Sequence, residues 1–566
     1  MIPPDPSTVA PPVDPTVATT LADATAFLYT GADSIQREVA PETIDPVRVA
    51  VLRGRVLTRE GSALIGVRIG ILNHPEFGHT LSRADGMFDL AVNGGGPLTV
   101  TYAHEGVLPV QRQLDVPWQD YVAAPDVILI PRDFQATIVD LTVPAMQVAQ
   151  GSVVSDADGT RQTTLLFPSG TTATAGGQPL SNLTVRATEY TVGVDGPKAM
   201  PAPLPPTSGY TYAVELSVDE ADPGSSTVQF NQPLPMYVEN FLDFPVGGIV
   251  PVGYYDRAKG QWIASKNGRI IRFLGVTDGL ADLDITGSGA PADAAALATL
   301  GVTDDERARL AALYRPGQSL WRVPITHFTP WDCNWPYGPP ADAKAPAQPP
   351  PPNPQPIEKP DCSQGSIIEC QNQILGEAVD LMGTPFRLHY SSDRVPGRKA
   401  ARTLELPLTG SSVPVSLKRV ELDLSIAGQH TSQIFPATPN QTFTTAWDGL
   451  DAYGRSLHGS QPITARIGYV YDGVYQQPAQ FEQSFGRFSG VPLTGSFARQ
   501  EITILQNQRI TPGHNITLSQ WNARSPMLGG FSLNVHHAYD PESRTLHLGN
   551  GQRRAHPLRR HARRRY

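Results

Sequence analysis

The sequence predicts an all-β protein: tandem β-sandwich domains joined by Pro-rich linkers, with one short helical insertion near residues 292–315. Three observations carry that prediction. Of 566 residues, 51 are glycine and 55 proline, nearly one residue in five against about 12% in average usage. Charged residues are only 17% and hydrophobic ones 40%, too few charges for long solvated helices. Short apolar stretches alternate with period two between glycine-rich turns, as half-buried strands do. A coiled coil, a helical bundle and a doubly wound α/β enzyme are excluded on these grounds. At roughly 150 residues per domain, the length suits about four units.

The elements follow in chain order. Residues 1–46 open with six prolines in the first fifteen positions and read as a partly disordered or extended lead-in, with a short helix near Ala22–Leu28. Residues 47–133 read as a β-sandwich. Val67, Ile69 and Ile71 alternate, as do Phe88, Leu90 and Val92, then Leu98, Val100 and Tyr102, and turns fall at Glu60-Gly61, Asp85-Gly86 and Asn93-Gly94-Gly95-Gly96. Residues 134–338 form a second β-rich block. Its helical stretch is announced by the Thr303…Glu306 capping box and by an apolar stripe of Ala308, Leu310, Ala311, Leu313 and Tyr314. Residues 339–360 hold ten prolines in 22 positions. As polyproline II such a segment reaches roughly 65 Å; a strap lying on a domain surface is the alternative. Residues 361–551 form a third β block, and 552–566 are a basic tail that reads as a truncated end.

Composition and motifs also bound the chemistry. A net charge of −9 does not suit phosphate binding, so no nucleic-acid partner is expected. No run of 18 apolar residues is present, so no membrane span is expected, and the N-terminus shows no signal-peptide pattern. Cys362 and Cys370 flank a short glycine-containing loop and are the candidate disulfide, with Cys333 left over; three reduced cysteines are the alternative. No H-E-x-x-H, G-x-S-x-G or phosphate-loop motif exists. His104-Glu105 has Leu108 where a second zinc histidine belongs. Asp284-Ile285-Thr286-Gly287-Ser288-Gly289 is spaced like a calcium loop, but hydroxyls replace carboxylates and Ala295 stands where a bidentate glutamate belongs. Hence no catalytic, metal or cofactor-binding residues are assigned.

Thr326-His327-Phe328-Thr329 is weakly similar to the self-cleaving β-sandwiches related to ankyrins and netrin receptors. A histidine two residues upstream can deprotonate the threonine hydroxyl for an acyl shift at Phe328–Thr329, although Pro330 follows at once. Trp331, Trp335 and Tyr337 offer two further readings, a sugar-binding platform or interdomain packing.

A family resemblance sharpens these expectations. Leu52-Arg53-Gly54-Arg55-Val56, the run from Pro75-Glu76-Phe77-Gly78-His79 to Ala84-Asp85-Gly86-Met87-Phe88-Asp89-Leu90, and Val116-Pro117-Trp118 resemble the transthyretin-related, carboxypeptidase-regulatory-like domain of teneurins and bacterial Rhs-repeat proteins. Leu388-His389-Tyr390-Ser391, Trp447-Asp448-Gly449-Leu450-Asp451-Ala452-Tyr453-Gly454 and Gly468-Tyr469-Val470-Tyr471 resemble the fibronectin-like plug domain, and Leu546-His547-Leu548-Gly549-Asn550-Gly551 the strand leading into a propeller. The resemblance implies a non-enzymatic scaffold and plug region of a secreted or cell-surface protein, bacterial and of polymorphic-toxin or adhesion type. Its partner would be the intramolecular propeller and tyrosine–aspartate shell, which this chain lacks. A stand-alone adhesion or carbohydrate-binding module, with a surface protein or glycan as partner, is the alternative. The plug reading further implies an apolar face for the shell, drawn from Phe386/Leu388/Tyr390, Val420/Leu422/Leu424 and Ile467/Tyr469/Tyr471.

Overall fold

The structure is a computed structural model. It describes residues 2–14, 17–222, 227–347, 376–391 and 403–478, then 484–487, 491–492, 499, 501–510, 531–541, 544–550 and 552–555. Cys362, Cys370, most of the proline-rich linker and most of the basic tail lie outside these residues. The architecture is all-β, with few short helices.

In the first sandwich, strand Val49–Leu57 lies between Met87–Asn93 and Asp120–Ala123. A facing sheet runs Thr80–Leu81, Arg68–Ile71, Gly96–Ala103, Val110–Val116. Val67, Ile69, Phe88, Leu90, Val92, Val100 and Tyr102 fill the space between, as their alternation requires. The Asp85-Gly86 turn needs its glycine: φ is +78° and a Cβ would lie 2.5 Å from the Val56 carbonyl oxygen.

The middle block stacks a nine-stranded sheet on a six-stranded one. Strand Ser319–Phe328 is central in the first, and Pro330–Asp332 in the second, so the chain changes sheets at Thr329. Trp321, Trp331 and Trp335 are buried between the sheets, with Phe244 stacked on Trp335 at 4.1 Å. On the outer face of the larger sheet sit helices Ala294–Leu300 and Asp304–Leu313, which cover Tyr237, Leu283 and Leu320. Only half of the capping box forms. Thr303 accepts the Glu306 N–H, but the Glu306 carboxylate turns inward to Arg322 at 2.7 and 3.0 Å and to the Tyr237 hydroxyl.

The third sandwich sets Gln429–Pro436, Arg419–Ile426, Ile463–Asp472 and Glu501–Ile510 in one sheet against the pair Thr403–Pro407 and Thr442–Ala446. The three rows divide between the sandwich's own core and a small exposed remainder. Val420, Leu422, Leu424, Ile467, Tyr469 and Tyr471 are all consumed by the sandwich's own core, while Phe386 is exposed and Leu388 and Tyr390 are half-buried in a separate small sheet.

Two segments leave their expected places. The lead-in has the expected short helix, Leu21–Thr25 running into a 3-10 turn at Ala26–Leu28, and adds a second at Pro6–Val9, but it is packed rather than extended, burying Ala24, Leu28 and Ile35. Its proline-rich composition cannot make a core of its own, yet it fits a groove between two domains that supply one. Strand Val474–Gln477, within the third block by sequence, pairs instead with Tyr337–Gly338 and puts Tyr475 into the middle core.

Candidate functional site

The first and third sandwiches meet at a buried polar seam. Strand Met87–Asn93 sends Phe88, Leu90 and Val92 into its own core, so Asp89 and Ala91 face the other way. Asp89 is fully buried there. Arg53, its cross-strand partner, approaches at 3.2 Å and Arg83 at 2.5 Å. Arg83 takes Oδ2, while Oδ1, which faces Arg53, also accepts the Tyr453 hydroxyl at 3.2 Å. Tyr453 belongs to the Trp447-to-Gly454 motif of the third sandwich. Asp451 shapes that loop by accepting the backbone N–H of Tyr453 and Arg455, both at 2.9 Å. The Tyr453 ring lies beneath the guanidiniums of Arg53 (5.0 Å) and Arg455 (5.3 Å) and edge-on to Phe27 (5.3 Å). Burial first, then the neighbouring Asp89 carboxylate, pushes its hydroxyl well above the ordinary tyrosine range, so it stays a donor.

The lead-in closes the seam. Gln36 reads the free edge of strand Met87–Asn93 like a short strand: its amide donates to Phe77 O (2.6 Å) and Ala91 O (2.9 Å) and accepts from Ala91 N (2.7 Å). Arg455, whose Nε and Nη2 both donate to Asp451 Oδ2, also donates to the carbonyls of Pro11 and Ala24. A second seam joins the first sandwich to the middle block. Tyr255 donates to Gln111 at 2.6 Å, and Arg112 donates to the carbonyls of Met200 and Lys198. Burial among carbonyls rather than carboxylates lowers the Arg112 guanidinium to about 10. Chemically these arrangements hold domains at fixed angles.

The residues weighed for chemistry are placed as follows. Cys362 and Cys370 lie outside the described residues; Cys333 is buried and free. Trp331 and Trp335 are core residues, which removes the sugar platform. Asp284 accepts the N–H groups of Thr286, Gly287 and Gly289 at 2.7–3.0 Å, so its carboxylate anchors a loop and is not displayed to a cation. His327 Nδ1 sits 3.0 Å from Thr326 Oγ1, with its ring packed between Tyr254 and Trp331. Burial lowers it to about 4, against a small opposing effect of Asp256. Among the described residues no cluster of three His, Cys, Asp or Glu side chains is arranged for a metal, and no helix is long and apolar enough to cross a membrane.

Sequence reasoning found both motifs but missed their meeting. The signal was present in Val49-Ala50-Val51-Leu52, an unbroken apolar run in an otherwise alternating domain, which marks a strand covered on both faces.

Fold and seams together define a multidomain all-β protein, two of whose domains are similar to teneurin domains. The teneurin TTR-like domain model matches residues 44–129, and the teneurin 1-4 FN-plug domain model matches residues 403–477. Teneurin-1 of Mus musculus is 30% identical over 191 residues, 34% of this chain and 6% of that protein. Teneurin-m of Drosophila melanogaster is 35% identical over 190 residues, again 34% and 6%. The chain thus spans about 6% of the length of these curated relatives. Among solved structures, hydroxyquinol 1,2-dioxygenase from Pseudomonas putida aligns over 19% of this chain and 65% of that one at 11% identity, with a TM-score of 0.14, too slight to bear on fold or chemistry.

Proposed function

We propose that this chain is a non-enzymatic scaffold and plug region of an Rhs/teneurin-like secreted or cell-surface protein. In this reading the first sandwich and the plug are clamped into one body that seats the plug against a propeller and tyrosine–aspartate shell. The observation that carries it is the Asp89–Tyr453 contact, in which one motif of the TTR-like domain and one motif of the plug close on each other. A buried, charge-compensated contact of that kind fixes register between domains better than it binds a diffusible ligand. The bacterial, toxin-bearing form of the reading is tested by sequencing the DNA flanking the coding region. Tyrosine–aspartate repeats in continuity with the plug are expected, and unrelated genes on both sides would sink it.

A further inference from the structure

A second buried charge cluster lies in the middle sandwich, bordering the seam with the first sandwich, where Arg59 donates to the Glu189 carbonyl at 3.3 Å and Tyr210 packs with Leu57, Ile128 and Ile130. Arg161 is fully buried there, bidentate on Asp156 at 2.9 and 2.8 Å and bonded through Nε to Glu189 at 2.8 Å. Beside it sits Arg499, two residues ahead of the plug's edge strand Glu501–Ile510 and with a side chain only 1% exposed. Each guanidinium nitrogen of Arg499 has its own acceptor. Nε donates to Asp158 Oδ2 at 3.0 Å, Nη1 to the Thr211 carbonyl and Nη2 to the Thr191 carbonyl, with Asp156 Oδ2 3.5 Å from Nη2. The guanidinium carbon lies 5.1 Å from the Phe241 ring centre and 5.5 Å from that of Tyr210.

We propose that the middle sandwich carries a guanidinium-binding pocket, walled by Tyr210 and Phe241 and lined by Asp158 and the carbonyls of Thr191 and Thr211. Its ligand class is an alkylguanidinium, and its resident occupant is Arg499 of the same chain. Every lining group except Arg499 belongs to the middle block, so the receptor side is complete without the occupant. Its chemistry selects guanidinium over ammonium. Three separate acceptors and two aromatic walls match a flat fork with donors on every nitrogen, whereas a lysine presents one compact, strongly hydrated charge. Asp156 is already committed to Arg161, which leaves the Asp158 carboxylate as the anion that calls for a cation. The pocket stands independently of the Rhs/teneurin reading, because nothing in its lining belongs to the two teneurin-type domains.

Chemical rescue of the full chain tests this. Arg499→Ala empties the pocket and is expected to melt several degrees below the unmodified chain. Methylguanidinium at millimolar concentration should raise its melting temperature saturably, as a ligand of the folded state does, while leaving the unmodified chain unmoved. Methylammonium at the same ionic strength should not. An Arg499→Ala chain that melts normally, or that responds equally to both cations or to neither, would overturn the proposal. Arg499→Lys covers the case in which Arg499→Ala does not fold. It keeps the charge and is still expected to melt below the unmodified chain; equal melting would overturn guanidinium selection.

Discussion

At the seam, a single carboxylate decides whether three cationic or polar side chains are compensated. Removing Asp89 leaves Arg53 and Arg83 in a buried site without their anion, and breaking a buried pair in this way costs about 3–5 kcal/mol. Asp89→Ala should lower stability by that amount in denaturant titrations. Tyr453→Phe removes a hydroxyl bond to a buried carboxylate and should cost about 1.5–3 kcal/mol, whereas Tyr453→Ala empties the ring's whole site and should cost about 3–5 kcal/mol. His327 makes a pH prediction. Its folded pKa, about 4, lies below the unfolded value of about 6.5. Between those values the unfolded chain holds more protons, so this contribution is complete above pH 6.5 and is lost as pH falls toward 4. The melting temperature of His327→Gln should therefore fall less steeply than that of the parent between pH 6.5 and 4; identical slopes would refute this. The same geometry bears on Phe328–Thr329. With the imidazole on Thr326 and packed against aromatic rings, the freshly purified chain should show one intact mass. A fragment ending at Phe328 would contradict that.

Elements show where sequence reading succeeds and where it stops. Strands whose alternation faces one core were legible: Val67, Ile69 and Ile71, or Phe88, Leu90 and Val92. The lead-in was not, because its buried residues are few and satisfied only by distant partners. Nothing local announces that Gln36 will pair with a strand more than fifty residues away. Gln36→Ala should cost about 3 kcal/mol, since the Ala91 N–H and two carbonyls lose partners in a dry site, and should speed amide exchange across residues 17–46. Helix Asp304–Leu313 is legible through Thr303, yet Glu306, which the spacing makes a cap, is the buried partner of Arg322. A capping glutamate and a core glutamate occupy the same sequence position, and only the sheet beneath tells them apart. Glu306→Ala should accordingly cost about 3–5 kcal/mol, several times what loss of a cap alone would.

For the molecule as a whole, two polar seams and a lead-in spanning both outer sandwiches predict a rigid body. Small-angle scattering should fit one fixed arrangement, and Tyr453→Ala should broaden the distance distribution; a parent chain that already scatters as hinged domains would contradict the clamp. The plug's own core consumes two of its three apolar rows. Of the third row, Phe386 stays open beside the small sheet, next to exposed Val379 and Met382. Hydrophobic-dye binding, if present, should therefore fall on Phe386→Ser and Met382→Ser and be indifferent to changes on strand Arg419–Ile426.

The excursion of strand Val474–Gln477 into the middle sandwich also bears on how the chain is made. Tyr475 completes a core whose other buried members end at Trp335. During synthesis, that core would leave the ribosome about 140 residues before its last side chain, an interval of roughly seven to thirty seconds at ordinary elongation rates. Until then the face that receives Tyr475 stands open and the small strand Tyr337–Gly338 has no partner. Folding cannot proceed domain by domain from the N-terminus. The middle sandwich must wait, half-built, for a segment encoded inside its neighbour, and that wait is the period in which the nascent chain is most exposed to misassociation.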